Sequence, residues 1–195
     1  MKILDAGKVP LSEILARSED QRDISGVVAN IIADVRQNGD AALRRYSKEF
    51  DQAELDALEV PREQLDQALA DLDPALRAVL EEAAENIRAF HRRQVQQGFL
   101  ISEKPGVVLG QKVTPIEKVG VYIPGGTAPL PSTVLMDCIP AKIAGCPEIV
   151  VVSPPTCNGD IAPIILAAAR IAGVDRVFRC GGAQAVAALT YGAGP

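Results

Sequence analysis

Histidine is almost absent from this sequence, which has His91 alone among 195 residues and contains no tryptophan. A catalytic zinc site normally needs several His, Cys, Asp or Glu ligands that converge on one point, often with a separate base. His91 adjoins no cluster of such residues, so we predict that it bridges core and solvent on a helix. The sequence therefore offers no metal ligand set, and we assign no catalytic residue.

Cysteine is also scarce, and its spacing suits neither a metal site nor a disulfide scaffold. Cys138, Cys146, Cys157 and Cys180 form no C-x-x-C pair. We interpret all four as reduced thiols. Cys138 and Cys146 are predicted to be small core residues, because the sequence around them is apolar and typical of helices.

Long apolar runs and an excess of positive charge are missing as well. No run approaches the roughly 18 residues that a membrane span requires, and the N-terminus lacks the pattern of a signal peptide. The net charge of -5 argues against a nucleic-acid partner, because such binding rests on Lys and Arg that neutralise phosphates. We therefore predict a soluble, cytoplasmic protein with no membrane and no nucleic-acid partner.

The first half of the chain has the pattern of amphipathic helices. Asp23 or Ser25 can cap a helix that ends at Gly39, and Asp40 can cap the next one. Asp73-Pro74 is a strong start signal for a long helix, with an N-cap followed by proline at the first helical position. The predicted core-facing stripe of that helix contains Leu76, Leu80, Ala83, Ile87 and Phe90.

The second half alternates short apolar runs with helical runs. The strand candidates are residues 120–123, 149–152 and 177–178, and the helical runs are 130–144, 161–172 and 183–189. This alternation indicates right-handed βαβ units on a parallel sheet. We predict an α/β fold in which an N-terminal helical region, residues 1–115, precedes an incomplete Rossmann-like domain, residues 116–195. Residues 107–116 are predicted to form an extended connection between the two.

Two loops after predicted strands contain paired glycines. The first is Gly125-Gly126 and the second is Gly181-Gly182. Ligands of parallel sheets gather at the carboxyl ends of strands, and glycine lets backbone N–H groups approach an anion such as pyrophosphate at a helix N-terminus. Neither loop is G-x-G-x-x-G, and tight turns need glycine for steric reasons with or without a ligand. Both interpretations stay open at this point.

Longer segments around these loops resemble one family. The stretch from Lys118 to Leu130, KVGVYIPGGTAPL, is similar to the loop characteristic of histidinol dehydrogenases. Further similar segments follow in the order of that family: STVLM at 132–136, IPAKIAGC at 139–146, VSPP at 152–155 and GGAQAVAAL at 181–189. Upstream, GDAAL at 39–43 and IRAFH at 87–91 also resemble it, so the resemblance covers nearly the whole chain.

The resemblance implies an NAD-dependent, zinc-containing, homodimeric enzyme of histidine biosynthesis. Such an enzyme oxidises L-histidinol to L-histidine through the aldehyde, with two molecules of NAD. The NAD-contacting tyrosine and glutamine of the family correspond to Tyr122 and Gln184, which are our candidate cofactor-binding residues. Tyr122 offers a ring and a hydroxyl at a strand end, and Gln184 offers a donor and an acceptor at a helix start. The structural alternatives are a core tyrosine and a helix-surface glutamine.

The sequence also departs from the family. In histidinol dehydrogenases the sheet continues beyond the point that corresponds to Tyr191-Gly192, and the zinc ligands, the histidinol-binding residues and a Glu-His base lie further along. None has a counterpart here, so we expect an N-terminal portion that is inactive by itself.

An incomplete sheet is expected to leave an edge uncovered. We therefore expect the chain to associate, either as a homo-oligomer or with a chain that carries the missing half. The alternative function is a non-catalytic α/β binding or interaction module that pairs with another chain. An unrelated phosphate-binding α/β protein is disfavoured, because the resemblance extends through helices that touch no ligand.

Overall fold

The computed structural model describes residue 5 and residues 7–15, 23–125 and 128–193. In chain order, the elements are α1 (Leu11–Ile14), α2 (Ser25–Phe50), α3 (Arg62–Ala70), α4 (Pro74–His91), β1 (Phe99–Lys104), β2 (Val107–Gln111), β3 (Lys118–Tyr122), α5 (Pro131–Ile143), β4 (Glu148–Ser153), α6 (Pro163–Ala172), β5 (Arg176–Arg179) and α7 (Gly182–Tyr191). No helix within these ranges is long and apolar enough to span a bilayer. The predicted α/β fold, with helices first and parallel βαβ units second, is confirmed.

The three predicted strands form one parallel sheet in the order β3-β4-β5. Val121 lies opposite Val151, and Val151 lies opposite Val177. Successive side chains of a strand point to opposite faces, so these three residues face one layer, where they pack with α4, α5 and α6. Val152 and Cys180 face the other layer, where they pack with α2 and α7. The sheet is thus buried on both faces, as the apolar strand runs predicted.

Both cores contain residues from both halves of the sequence. Leu80 and Ala84 of α4 belong to the cluster of Val151, and Leu43 of α2 belongs to the cluster of Val152. The helices of the first half therefore cover the sheet of the second. The division into a helical region, residues 1–115, and a Rossmann-like domain, residues 116–195, stays a prediction.

Helix α2 is broken at Gly39, as the sequence predicted. Gly39 has φ 49° and ψ −128°, a conformation open to glycine and strained for other residues. At the start of the helix, the Ser25 amide donates to Asp23 Oδ1 over 2.9 Å. The predicted cap at Asp40 is wrong: its Oδ1 has no hydrogen-bond partner among the described residues, and its Oδ2 lies 3.8 Å from Arg44 Nη1. The Asp40 side chain therefore does not cap the helical segment that follows the break at Gly39.

Helix α4 begins where predicted, but it buries fewer apolar side chains of its stripe than predicted. The Leu76 amide donates to Asp73 Oδ2 over 2.9 Å, which confirms the N-cap. Leu80 and Ala84 are buried, whereas Phe90 is 63% exposed and meets the His91 ring edge-on at 5.2 Å between centroids. The predicted core position of Phe90 is wrong because the last turn of α4 extends past the part of the helix that packs.

The outer edge of β5 is closed by the segment from Leu58 to Val60, which runs antiparallel to it. The Val60 amide donates to the Val177 carbonyl over 2.9 Å, and the Arg179 amide donates to the Leu58 carbonyl over 2.7 Å. Glu59 accepts two hydrogen bonds of 2.8 Å from Arg176, which lower the pKa of the carboxyl. Along the described chain, no strand other than β4 pairs with β3, so the outer edge of β3 is open.

The predicted extended connection over residues 107–116 is wrong in its first part. Residues 107–111 are strand β2, which pairs antiparallel with β1, and Leu100 lies opposite Gly110. Apolar side chains on both faces of this ribbon are exposed: Phe99, Leu100, Ile101, Val107, Val108 and Leu109. Backbone pairing between β1 and β2 forms the ribbon, yet a two-stranded ribbon without a packed face is only marginally stable.

Gly39 and Gly26, both in α2, provide a matched test of the break. We expect Gly39→Ala to lower the free energy of unfolding by at least about 1 kcal/mol, because alanine is strained at a positive φ. Gly26→Ala should leave it unchanged or raise it by up to about 1 kcal/mol, because alanine favours helix and its Cβ meets no atom within 4 Å. Urea denaturation of both variants measures the difference, and equal effects would contradict the assigned break.

Candidate functional site

The candidate site lies at the carboxyl edge of the parallel sheet. Strands β3, β4 and β5 end there at Tyr122, Ser153 and Arg179. Loops that follow these strands meet at this edge, the expected place for a ligand crevice in an open parallel sheet. Gly126 of the first glycine loop, together with Thr127, lies outside the described residues. Gly125 and the whole second glycine loop are described.

Tyr122 and Gln184 both contact Gly182, the first residue of α7. The Gly182 amide donates to the Tyr122 hydroxyl over a long 3.4 Å. The Gln184 side chain folds back against the same residue, since a Cβ added at Gly182 would lie 2.6 Å from Gln184 Oε1. The two residues singled out from the sequence therefore meet at one point, although 62 positions separate them along the chain.

Gln184 has a buried, unpaired oxygen beside the first turn of α7. Its side chain is only 1% exposed, and Oε1 has no hydrogen-bond partner among the described residues. An unpaired buried polar group costs about 1–3 kcal/mol. The structural alternative of a helix-surface glutamine is therefore wrong. Tyr122, at 37% exposed, is likewise no core tyrosine, because its ring is open to solvent beside the loop.

The N-terminus of α7 is an open donor site. Gly181 is its N-cap and supplies no side chain, so the N-cap residue itself places no oxygen on the first turn, and the Gly182 amide makes only a long bond to the Tyr122 hydroxyl. The first N–H groups of a helix lack intrahelical partners and carry the positive end of the helix dipole. Gly182 has φ 64°, which turns its amide towards Tyr122 while a side chain at this position would strike Gln184. This geometry suits an anionic or polar ligand group.

The glycines before the two helices also have a steric role. A Cβ added at Gly125 would lie 2.9 Å from Pro154 Cγ, and one added at Gly181 would lie 2.6 Å from Pro154 Cβ. Pro154 follows β4, the central strand, and so lies between the loops that follow the two outer strands. Close packing therefore requires glycine at both positions, whatever ligand the crevice takes.

Cys180 adjoins the site without the properties of a nucleophile. It is buried, and burial, followed by the nearby charge of Asp51, raises the pKa of its thiol to about 12. Thiols react as thiolates, so Cys180 is inert at neutral pH. Cys138 and Cys146 are buried as predicted, and Cys157 is exposed.

Arg179 is a residue of this edge that the sequence analysis missed. Its guanidinium is nearly buried and donates to the Glu59 carbonyl and to Gln64 Oε1, each over 2.8 Å. These bonds fix the end of β5 directly before the second glycine loop. The available signal was a charged residue inside the short apolar run at 176–180, RVFRC.

A groove lies elsewhere on the described surface, away from the carboxyl edge of the sheet. A groove of about 380 Å³ separates the end of α4 from the start of β3 and is lined by His91, Gln94, Thr114 and Pro140, among others. His91 Nδ1 lies 2.6 Å from Gln94 Oε1, so the imidazole is held by a neighbour on its own helix end. Throughout the residues described, no three His, Cys, Asp or Glu side chains converge on a point that could hold a metal ion.

The fold and the geometry of this edge define a class of protein: a Rossmann-like α/β protein with a glycine-capped helix N-terminus at the carboxyl edge of its sheet. The family model of histidinol dehydrogenase matches residues 15–194. The chain therefore belongs to the histidinol dehydrogenase family.

Individual relatives agree with this assignment. The histidinol dehydrogenase of Methanosarcina mazei is 46% identical over 192 residues, which are 98% of this chain and 44% of that protein. The histidinol dehydrogenase of Geobacter sulfurreducens is 49% identical over 183 residues, 92% of this chain and 42% of that protein. A crystal structure of histidinol dehydrogenase from Elizabethkingia anophelis superposes with a TM-score of 0.87 at 38% identity, over 95% of this chain and 44% of that one. The chain thus spans less than half the length of these relatives.

Proposed function

We propose that this chain forms part of the NAD-binding surface of a cytoplasmic histidinol dehydrogenase and has no turnover by itself. The observation that carries the proposal is the unpaired Oε1 of Gln184, buried beside the open N-terminus of α7 and the Tyr122 hydroxyl. A bound ligand that donates a hydrogen bond to Oε1 would remove the cost of this buried group. The absence of disulfides from the described residues fits a reducing compartment.

The residues at the crevice fit NAD. The amides of the first turn of α7 would bind a polar or anionic part of the cofactor, as helix N-termini bind pyrophosphate. Tyr122 would offer its ring and hydroxyl at the end of β3, and Gln184 would fix orientation through its amide. When bound, NAD supplies the hydride acceptor for oxidation of an alcohol, with L-histidinol as the proposed substrate of the whole enzyme.

The described residues do not fit zinc. No three candidate ligands converge in the described ranges, and His91 is engaged with Gln94. We therefore derive no step through a metal, and we assign this chain a binding role with no catalytic residue.

The exposed ribbon favours a second candidate function, a module that pairs with another chain. Leu100 and Val108 lie on one face of the ribbon and are 81% and 66% exposed. Apolar patches of this kind and open strand edges such as that of β3 promote association. The partner would be a second copy of this chain or a polypeptide that carries the remaining length of the relatives.

The first prediction from the proposed function concerns the affinity of the chain for NAD. We expect Tyr122→Ala and Gln184→Met each to weaken NAD binding by about 1 kcal/mol or more, because each removes a polar contact. Gln184→Met should leave the free energy of unfolding unchanged or raise it, since it removes a buried oxygen that has no partner. Calorimetric titration and thermal unfolding measure the two effects.

Matched controls for these variants lie elsewhere on the surface. Tyr191→Ala changes an exposed tyrosine at the opposite end of α7, and Gln67→Ala changes an exposed glutamine of α3. Both should bind NAD as the wild type does. Equal binding by the wild type, both site variants and both controls would remove Tyr122 and Gln184 from the site.

The second prediction concerns turnover. The purified chain should not reduce NAD with L-histidinol, because hydride transfer from an alcohol needs a base, and the described residues supply neither that base nor a metal site. The absorbance of NADH measures its formation, both with and without added zinc. Zinc-dependent turnover by homogeneous protein would disprove the proposed division of roles.

The third prediction concerns association through the ribbon. We expect the wild-type chain to associate as its concentration rises and Leu100→Lys/Val108→Lys to remain monomeric, because two charges on one face oppose packing. Both side chains are exposed, so the unfolding temperature should change little. Sedimentation velocity measures the effect.

Val27→Lys/Val79→Lys is the control for net charge, since both residues are exposed on helices. It should associate as the wild type does. A wild-type chain that sediments as a compact monomer at all concentrations would contradict the proposal that it is an interaction module.

A further inference from the structure

Pro154 lies between the two glycine loops at the carboxyl edge of the sheet. A Cβ at Gly125 would lie 2.9 Å from its Cγ and 3.2 Å from its Cδ. A Cβ at Gly181 would lie 2.6 Å from its Cβ and 3.1 Å from its Cα. Real Cβ atoms essentially never approach a heavy atom closer than 3.0 Å. The Cβ at Gly125 would also lie 3.1 Å from the Pro154 carbonyl oxygen, and the Cβ at Gly181 would lie 3.1 Å from Cγ. The two loops therefore both pack against one proline.

We infer that Pro154 is a positioning residue that sets the separation between the loop after Tyr122 and the start of α7 with Gln184. This inference deepens the proposed function and rests on it, since the two loops carry the proposed NAD contacts. Pro154 would act on these residues through Gly125 and Gly181, against which its ring packs.

The backbone around Pro154 supports this role. The carbonyl of Val152 accepts from the Ile123 amide, and the carbonyl of Ser153 accepts from the Cys180 amide, each over 2.9 Å. The ladders on both sides of β4 thus continue to the residue before Pro154. Pro154 is the first residue after the hydrogen-bonded part of β4. Its ring fixes φ, and it has no backbone N–H that would need a partner.

Gly125 and Gly181 are needed for space and not for an unusual backbone. Gly181 has φ −121°, and Gly125 is not among the glycines with positive φ. Alanine at either position is thus free of backbone strain, and its effect reports contact with Pro154. Cγ lies near both added Cβ positions, but the nearest atom differs: it is Cγ for Gly125, at 2.9 Å, and Cβ for Gly181, at 2.6 Å. Removal of Cγ therefore relieves the closest contact at Gly125 and leaves the closest contact at Gly181.

The test is a set of substitutions made in the complete 195-residue chain. Pro154→Ala removes Cγ and Cδ, including the atom closest to Gly125, and retains Cβ, the atom closest to Gly181. Gly125→Ala alone should weaken NAD binding about tenfold or more, because contacting residues couple with energies of this order. Gly125→Ala/Pro154→Ala should recover affinity to within about threefold of Pro154→Ala alone, because the added methyl occupies the vacated space.

Gly181→Ala is the matched control. Its methyl lies closest to Cβ, at 2.6 Å, and Pro154→Ala retains this atom, so rescue should be much weaker than for Gly125→Ala. Additive effects of Gly125→Ala and Pro154→Ala, or equal rescue of both glycine variants, would overturn the inference. If Gly125→Ala fails to fold, folding of the double variant supports the coupling, and failure of the double variant contradicts it.

A second readout separates this inference from the proposed function. The amide resonance of Gly182 reports its hydrogen bond to the Tyr122 hydroxyl, which depends on the loop separation. In ¹H-¹⁵N spectra without ligand, Gly125→Ala should shift this resonance and the double variant should restore it. A wild-type chain that binds no NAD would defeat the proposed function, whereas an unchanged Gly182 resonance in Gly125→Ala would defeat the positioning role.

Discussion

The arrangement of the candidate site depends on the parallel pairing of three short strands. Parallel pairing brings the carboxyl ends of β3, β4 and β5 to one edge, so residues far apart in sequence converge there. The ladder bonds from Ile123 to Val152 and from Cys180 to Ser153 carry this register into the loops. If a strand shifted its pairing register by one residue, its core-facing valine, which is Val121, Val151 or Val177, would turn away from that core. Such a shift in β3 would also misplace Tyr122.

The same sheet is closed at one edge and open at the other. The Glu59–Arg176 pair and the carbonyl contacts of Arg179 hold a short segment along β5, so a further strand can pair only with β3. The open edge lies directly beside Tyr122, the last residue of β3. A strand paired with β3 would therefore extend the sheet and also add residues to the carboxyl edge that carries the candidate site.

Arg179 and Gln184 differ in how their polar atoms are satisfied. The guanidinium of Arg179 is nearly buried and is bonded to the Glu59 carbonyl and to Gln64, whereas the more deeply buried Gln184 leaves an oxygen unpaired. The first arrangement stabilises the fold, and the second costs stability unless a ligand supplies the partner. Asp40, Ser47 and Asp51 also have buried unpaired oxygens, so it is the position of Gln184 beside the first turn of α7 and near Tyr122 that makes it the candidate ligand contact.

The sequence by itself determined the long helices of the first half, the three strands of the parallel sheet and the fold class. Capping at Asp73, the break at Gly39 and the three apolar runs are local signals, and local chemistry decides them. The resemblance identified the family and pointed to Tyr122 and Gln184. Only the tertiary structure decided the exposure of Phe90, the pairing of residues 107–111 with β1, and the closure of β5 near Glu59, because each depends on contacts between distant segments. The steric need for glycine at positions 125 and 181 belongs to the same group, since Pro154 reaches both loops only when the strands pair.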